Sequence, residues 1–374
     1  MTTDRTTWAP RTRRLVVKIG SRVLVNEHQG LDETRLASLV AQMAAERKAG
    51  REVICVSSGA VAAGLREMGL TKRPGDLPSI QAAAAIGQAR LMQVYRNLFA
   101  EHGFTVAQVL LTHADLRSRE RHLNARNTFS TLLAHGVIPI VNENDTVSVE
   151  EIRFGDNDQL SALVAMLVHA DLLVMLTTTE GLLTKPPELA GELVPHVPRV
   201  TREVTAMAGA PASTLSLGGM RSKVLAAEMV TRAGERAVIA NGAIEGIISK
   251  IIAGENVGTL FEPRPEKLGG RKRWIAFFDH PKGSIRVDDG ASAAVASKGR
   301  SLLPVGVTAV EGTFARGEPV RIVDPDGSEI ARGLVNYSAD EVRRLAGRKT
   351  SEIAEILGRR DYEEIVHRDN MVLA

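Results

Sequence analysis

Residues 137–158 read VIPIVNENDTVSVEEIRFGDND. The run at 137–141 is apolar and rich in β-branched residues, so it reads as a buried strand of a parallel sheet. Just past it stand Asn142, Glu143, Asn144 and Asp145, and Asp156, Asn157 and Asp158 follow Gly155, which permits an unusual backbone turn. Ligands of parallel α/β sheets bind beyond the carboxyl ends of strands, so this polar cluster stands where a site is expected. Clustering alone fits a solvated surface loop equally well; the position past a buried strand is what favours a site.

The same logic extends along the chain. Residues 14–19 form a β-rich run that delivers Lys18 to a turn at Gly20 and Ser21. Leu36, Leu39, Val40 and Met43 follow helical spacing, which Gly50 ends. Residues 52–56 are the next strand and lead into Ser57, Ser58, Gly59 and Ala60, small residues that let a ligand approach the backbone at a helix start. Helices are expected at 80–101, 116–135 and 160–168, with strands at 104–111, 172–176 and 236–240. This alternation predicts an α/β fold with a central, mainly parallel sheet between helices. Prolines, glycines and polar residues interrupt the pattern over 177–198, where loops and short strands are expected. Gly218, Gly219, Met220, Arg221, Ser222 and Lys223 then open another helix, and glycines before a helix with a lysine in its first turns suit phosphate binding.

A chain of 374 residues, 44% hydrophobic, fits two domains. Its 47 basic and 44 acidic side chains leave a net charge of +3, which favours neither nucleic acid nor an anionic membrane as partner. The single cysteine, Cys55, sits in the apolar run EVICV; it excludes an intrachain disulfide framework and suits a reducing compartment. Residues 1–14 lack the apolar stretch of a secretory signal, and the longest apolar run, 160–176, is interrupted by His169 and Asp171. A cytoplasmic location is therefore expected. The nine histidines show no metal-ligand spacing, so no protein metal site is expected. Residues 261–273 carry prolines, glycines and charges without apolar periodicity; beyond them short strand candidates at 274–278, 283–287, 301–303, 306–310, 319–323 and 329–335 suggest a small β-barrel, with short helices at 340–345 and 351–357. The expected division is a catalytic domain at 1–262, a linker at 263–273 and a second domain at 274–374.

Gathering the strand ends gives two lysines, several carboxylates and amide-rich loops, with no nucleophile elbow and no histidine cluster. Phosphoryl transfer needs this inventory, because its catalysis is largely positioning and neutralisation of charge. An acceptor that is itself a carboxylate is already ionised at pH 7 and needs no general base.

The segments VVKIGSRVL, VSSGAVAAG, IPIVNENDTV, RFGDNDQLSA, GGMRSK and RKRW resemble, in order and approximate spacing, those of the glutamate 5-kinases (gamma-glutamyl kinases), and the similarity covers nearly the whole chain. The resemblance implies an amino acid kinase fold, ATP-dependent phosphorylation of the γ-carboxylate of L-glutamate at the start of proline synthesis, and a C-terminal PUA domain. Position by position, it implies that Lys18 and Lys223 contact the ATP phosphates and stabilise the transferring group, and that Asp158 orients them. It places Ser58, Asp145 and Asn157 around glutamate, and Thr177, Thr178 and the stretch Leu217, Gly218, Gly219, Met220, Arg221, Ser222 and Lys223 around ATP. Magnesium is implied as the ion bridging the β- and γ-phosphates, held by ATP and water. Feedback inhibition by proline and assembly as a dimer or tetramer are implied likewise. On the nucleotide side the chain has Thr177, Thr178 and Thr179 where these kinases typically have TD, Lys185, Pro186 and Pro187 where an acidic DP is usual, and SLGGMRSK where GTGGMxxK is usual.

Two other readings compete. Another amino acid kinase, acting on aspartate, carbamate or a nucleoside monophosphate, fits the fold, but the paired NEND and GDND segments argue against it. RNA binding through the C-terminal domain is disfavoured because residues 271–374 hold 17 Lys or Arg against 16 Asp or Glu, a weak footprint for tracking phosphates.

Overall fold

Six-residue apolar runs separated by helices build the first unit of the chain, Met1–Lys267, in this computed structural model. It describes residues 4–25, 30–70, 72–148, 157–185, 189–209, 219–264, 270–277 and 281–374. Strands β1 (Arg14–Ile19), β2 (Glu52–Ser57), β3 (Val106–Leu111), β4 (Ile138–Glu143), β5 (Leu172–Thr177), β6 (His196–Val197), β7 (Arg236–Asn241) and β8 (Thr259–Phe261) form one sheet in the order β3-β4-β2-β1-β5-β7-β8-β6. Every pairing is parallel except β7 with β8.

β1 lies at the centre, and its apolar residues are buried on both faces of the sheet, as a strand covered by helices on either side requires. The chain passes from β1 to β2 on one side and returns to β5 on the other. The carboxyl ends of β1, β2 and β5 therefore diverge around a crevice at a topological switch point.

Two helices frame this edge. Asn157–Val168 is buried at every position except Gln159, the pattern of a helix enclosed all round. Ala60–Glu67 starts after Gly59, whose φ of 102° belongs to glycine. It packs backbone to backbone on Leu77–Glu101: a Cβ at Gly64 would stand 1.7 Å from the carbonyl oxygen of Ala83, and one at Gly87 1.8 Å from that of Ala60. Gly87→Ala should therefore force the helices apart and destabilise the protein by about 3 kcal/mol, read as a lower urea midpoint.

The second unit, Leu268–Ala374, has its own core around Ile285, Val320, Val342 and Ile365. β9 (Gly283–Val287), β10 (Val307–Gly312), β11 (Pro319–Val323), β12 (Glu329–Val335) and β13 (Val366–Leu373) pair in the order β10-β9-β11-β12-β13.

The structure corrects three sequence expectations. The helix expected at 116–135 is two, His113–Arg117 and Arg119–Ala134, because Ser118 adopts an extended conformation and Thr112 and Asp115 form a capping box for a separate first turn. The strand expected at 274–278 lies instead within the helix Gly270–Phe277, its last residue outside the described residues. At 301–303 only an isolated bridge forms, from Leu302 to Val366. Several elements had no sequence expectation, among them the helices Arg202–Met207 and Ile247–Ala253 and two in the second unit. Asp289–Ala296 is a helix capped by Asp288, and β13 carries the polar stretch His367–Asn370 that breaks any apolar alternation.

Candidate active site

Asp158 occupies the first turn of the Asn157–Val168 helix and is fully buried. One carboxylate oxygen accepts from Lys18 Nζ; the other accepts from Lys223 Nζ at 3.1 Å and from Ser222 Oγ at 2.6 Å. Lys18 arrives on β1, and Ser222 and Lys223 on the first turns of the Met220–Arg232 helix. Burial would raise the Asp158 pKa, yet the two ammonium groups and the hydrogen bonds bring it down to about 2. For Lys223, burial and then the neighbouring Lys18 push the pKa below that of an ordinary lysine, with Asp158 opposing. A buried carboxylate thus holds two like charges side by side, an arrangement too costly to persist without it.

Beside this assembly, Asn157 Nδ2 donates to the Ser57 carbonyl at 3.2 Å, to Ser58 Oγ at 2.9 Å and to Asn142 Oδ1 at 3.0 Å. Asn142 lies at the end of β4, where its oxygen also accepts from the Glu143 backbone N–H at 2.9 Å and its nitrogen donates to Gln88 Oε1 at 2.9 Å. The loop after β2 is braced from behind: Ser57 Oγ lies 2.8 Å from the Tyr95 hydroxyl. The loop after β4 is braced by Glu143, which accepts from Ser148 Oγ and lies 3.8 Å from His113 Nδ1. Asp145 is carried between these anchors and is buried.

These groups converge on a cleft of about 350 Å³. Lys18, Ser58, Asp145, Thr177, Thr178, Gly219, Met220 and Lys223 line it, so residues expected from four separate strand ends and one helix start come together. Asn157, Asp158 and Ser222 stand behind the lining, and Ser222 turns its hydroxyl to Asp158. Arg221 is exposed and does not line the cleft. Leu217, Gly218, Asp156, Pro186 and Pro187 lie outside the described residues.

Sequence reading missed Arg22 and Arg73, which line the cleft, and the supporting Gln88 and Tyr95. A polar residue directly after Gly87 in an otherwise Ala-rich segment was the available signal for Gln88. For Arg22 the signal was its place in the turn that follows the strand carrying Lys18.

Residues 13–241 match the amino acid kinase family, a span that includes the whole cleft. The chain belongs to the amino acid kinase family. Residues 283–357, in the second unit of this kinase, match the PUA domain. Relatives resemble it from end to end. A glutamate 5-kinase of Moorella thermoacetica is 51% identical over 363 residues, covering 96% of each chain. Glutamate 5-kinases of Pelobacter propionicus and Geobacter sp. (strain M21) are each 50% identical, over 96% and 97% of this chain and 97% and 98% of theirs.

Proposed function

We propose that this kinase transfers the γ-phosphoryl group of ATP to the γ-carboxylate of L-glutamate, forming L-glutamyl 5-phosphate and ADP in the first step of proline biosynthesis. End-to-end identity near 50% with glutamate 5-kinases carries the choice of substrate. The buried Lys18–Asp158–Lys223 assembly at the cleft supports the chemistry.

In this reading a γ-carboxylate oxygen of glutamate attacks the γ-phosphorus while the bond to the β–γ bridging oxygen breaks. The nucleophile is ionised at neutral pH, so no base is required. Lys18 and Lys223 meet the charge spread over the transferring group and the leaving ADP, and Asp158 fixes both ammonium groups beforehand, so little reorganisation accompanies transfer. Ser58, Asp145 and Asn157 take glutamate; Asp145 complements its α-ammonium, and the small residues at 57–60 admit its carboxylate to the backbone amides. Thr177, Thr178, Gly219 and Met220 face ATP.

Magnesium belongs to the substrate as MgATP. It keeps water and phosphate oxygens as ligands and needs no protein cage, which suits a cleft where both oxygens of Asp158 are already bound by lysines and Ser222. Proline inhibition, a dimer or tetramer, and a cytoplasmic location belong to the same proposal by family resemblance; no described helix is long and apolar enough to cross a membrane. The weak charge balance of residues 271–374 speaks against RNA as the main partner.

Incubation with ATP, magnesium, L-glutamate and hydroxylamine tests the assignment. It should give glutamate-dependent ADP and γ-glutamyl hydroxamate in equal amounts. Release of ADP with aspartate or a nucleoside monophosphate, and none with glutamate, would overturn it.

A further inference from the structure

We propose that Gln88, which does not line the cleft, is a positioning residue for the acceptor side of the site and acts through Asn142 on Asn157. The inference rests on the reading of Ser58 and Asn157 as glutamate-holding residues.

A backbone group sets the polarity of the chain of amides. The Glu143 N–H can only donate, and it faces Asn142 Oδ1 at 2.9 Å. The other terminal atom of Asn142 is therefore its nitrogen, and this donates to Gln88 Oε1 at 2.9 Å. On its oxygen Asn142 receives Asn157 Nδ2 at 3.0 Å, and the same nitrogen reaches the Ser57 carbonyl and Ser58 Oγ. Three side-chain amides thus form one line from Asn157 to the Leu77–Glu101 helix, each donating to the next, and the same Asn157 nitrogen also donates to Ser58.

Burial makes that line decisive. Asn157 and Asn142 are 0% and 1% exposed and Gln88 is 9% exposed, so solvent is a poor substitute for a lost partner. Gln88 is also held in place, because the adjacent Gly87 packs directly on the Ala60 carbonyl at the start of the helix that follows Ser58 and Gly59. Without an acceptor at position 88, the Asn142 amide loses the bond that holds its nitrogen side, and Asn157 loses a firmly placed partner. Lys18, Lys223 and Thr177 are untouched, so the deficit belongs to glutamate and not to ATP.

Gln88 serves as an acceptor alone: its Nε2 is buried and makes no hydrogen bond among the described residues. This separates two substitutions. Gln88→Glu keeps an oxygen toward Asn142 and loses no existing hydrogen bond, whereas Gln88→Met removes the acceptor at similar volume.

Steady-state kinetics of Gln88→Met, Gln88→Glu, Asn142→Ala and the Gln88→Met/Asn142→Ala double variant, with melting temperatures, test the proposal. Gln88→Met should raise KM for glutamate about tenfold, with KM for ATP and kcat within about twofold of the parent. Gln88→Glu should stay within about threefold on glutamate, and Gln88→Met should add nothing once Asn142 is alanine. An unchanged KM for glutamate in Gln88→Met, equal rises in both KM values, or additive effects in the double variant would overturn it. Should Gln88→Met not fold, Gln88→Glu decides: a near-parent KM supports the proposal and a tenfold rise sinks it. A parent enzyme that forms no glutamyl hydroxamate removes the substrate assignment and this inference together, whereas an active parent with an unaffected Gln88→Met removes Gln88 alone.

Discussion

Lys223→Ala is expected to lower kcat about a thousandfold while KM for glutamate stays within about twofold of the parent. The ammonium lies 3.1 Å from Asp158 at the inner wall of the cleft, on the first turns of a helix whose N-terminus faces the same space. Its charge matters most when negative charge builds on the oxygen leaving with ADP, and least when glutamate binds, because the groups proposed for glutamate are on the ends of β2 and β4 and the start of the Asn157–Val168 helix. An effect confined to the transition state appears in kcat. The pKa of Lys223 is below that of an ordinary lysine because of burial and Lys18. The protonated form is the active one, so kcat should fall with rising pH earlier than an unperturbed lysine would allow. Initial rates against glutamate across the alkaline range check both statements. An unchanged kcat would remove Lys223 from the transfer step.

Asp158→Asn should be the most damaging single change to both activity and stability. The carboxylate has no exposed surface and is the acceptor for two ammonium groups. Its neutral replacement leaves two buried like charges facing each other, and breaking a buried ion pair in this way costs about 3 kcal/mol or more. The sign of the pH dependence follows from the shift. A carboxyl group whose pKa falls from 3.8 to about 2 on folding contributes its stabilisation fully above the unfolded value, and loses it as pH falls through about 2. The Asn variant should therefore be less stable than the parent at neutral pH, with the gap closing in strong acid. Urea titrations at several pH values measure this directly. A variant as stable as the parent at pH 7 would mean that one lysine sheds its proton at little cost.

Much of this arrangement was legible in the chain itself. Apolar runs ending in Lys18, in Ser57 and Ser58, and in the Asn142–Asp145 cluster marked the carboxyl edge of a parallel sheet, because a strand covered on both faces must be continuously apolar. Their convergence on one cleft then followed from topology. The supports were not legible. Gln88 stands 54 residues from Asn142 and Tyr95 38 residues from Ser57, and a polar side chain in a long helix reads as solvated until its partner's place is known. Spacing alone also hid the break at Ser118, whose extended backbone separates two helices, and the separate first turn that Thr112 and Asp115 cap. In the second unit, the residues of Gly270–Phe277 carry an apolar stretch too short to distinguish strand from helix by periodicity.

The central claim, that the cleft moves a phosphoryl group onto the γ-carboxylate of glutamate, is tested most directly by isotope transfer. L-glutamate labelled with oxygen-18 in its γ-carboxylate is incubated with enzyme, ATP and magnesium. The product is then trapped with hydroxylamine, and the released phosphate is analysed by mass. Attack by a carboxylate oxygen on phosphorus places one labelled oxygen in every phosphate released on trapping, and that is the expected result. Unlabelled phosphate, or ADP formed at the same rate without glutamate, would contradict the account.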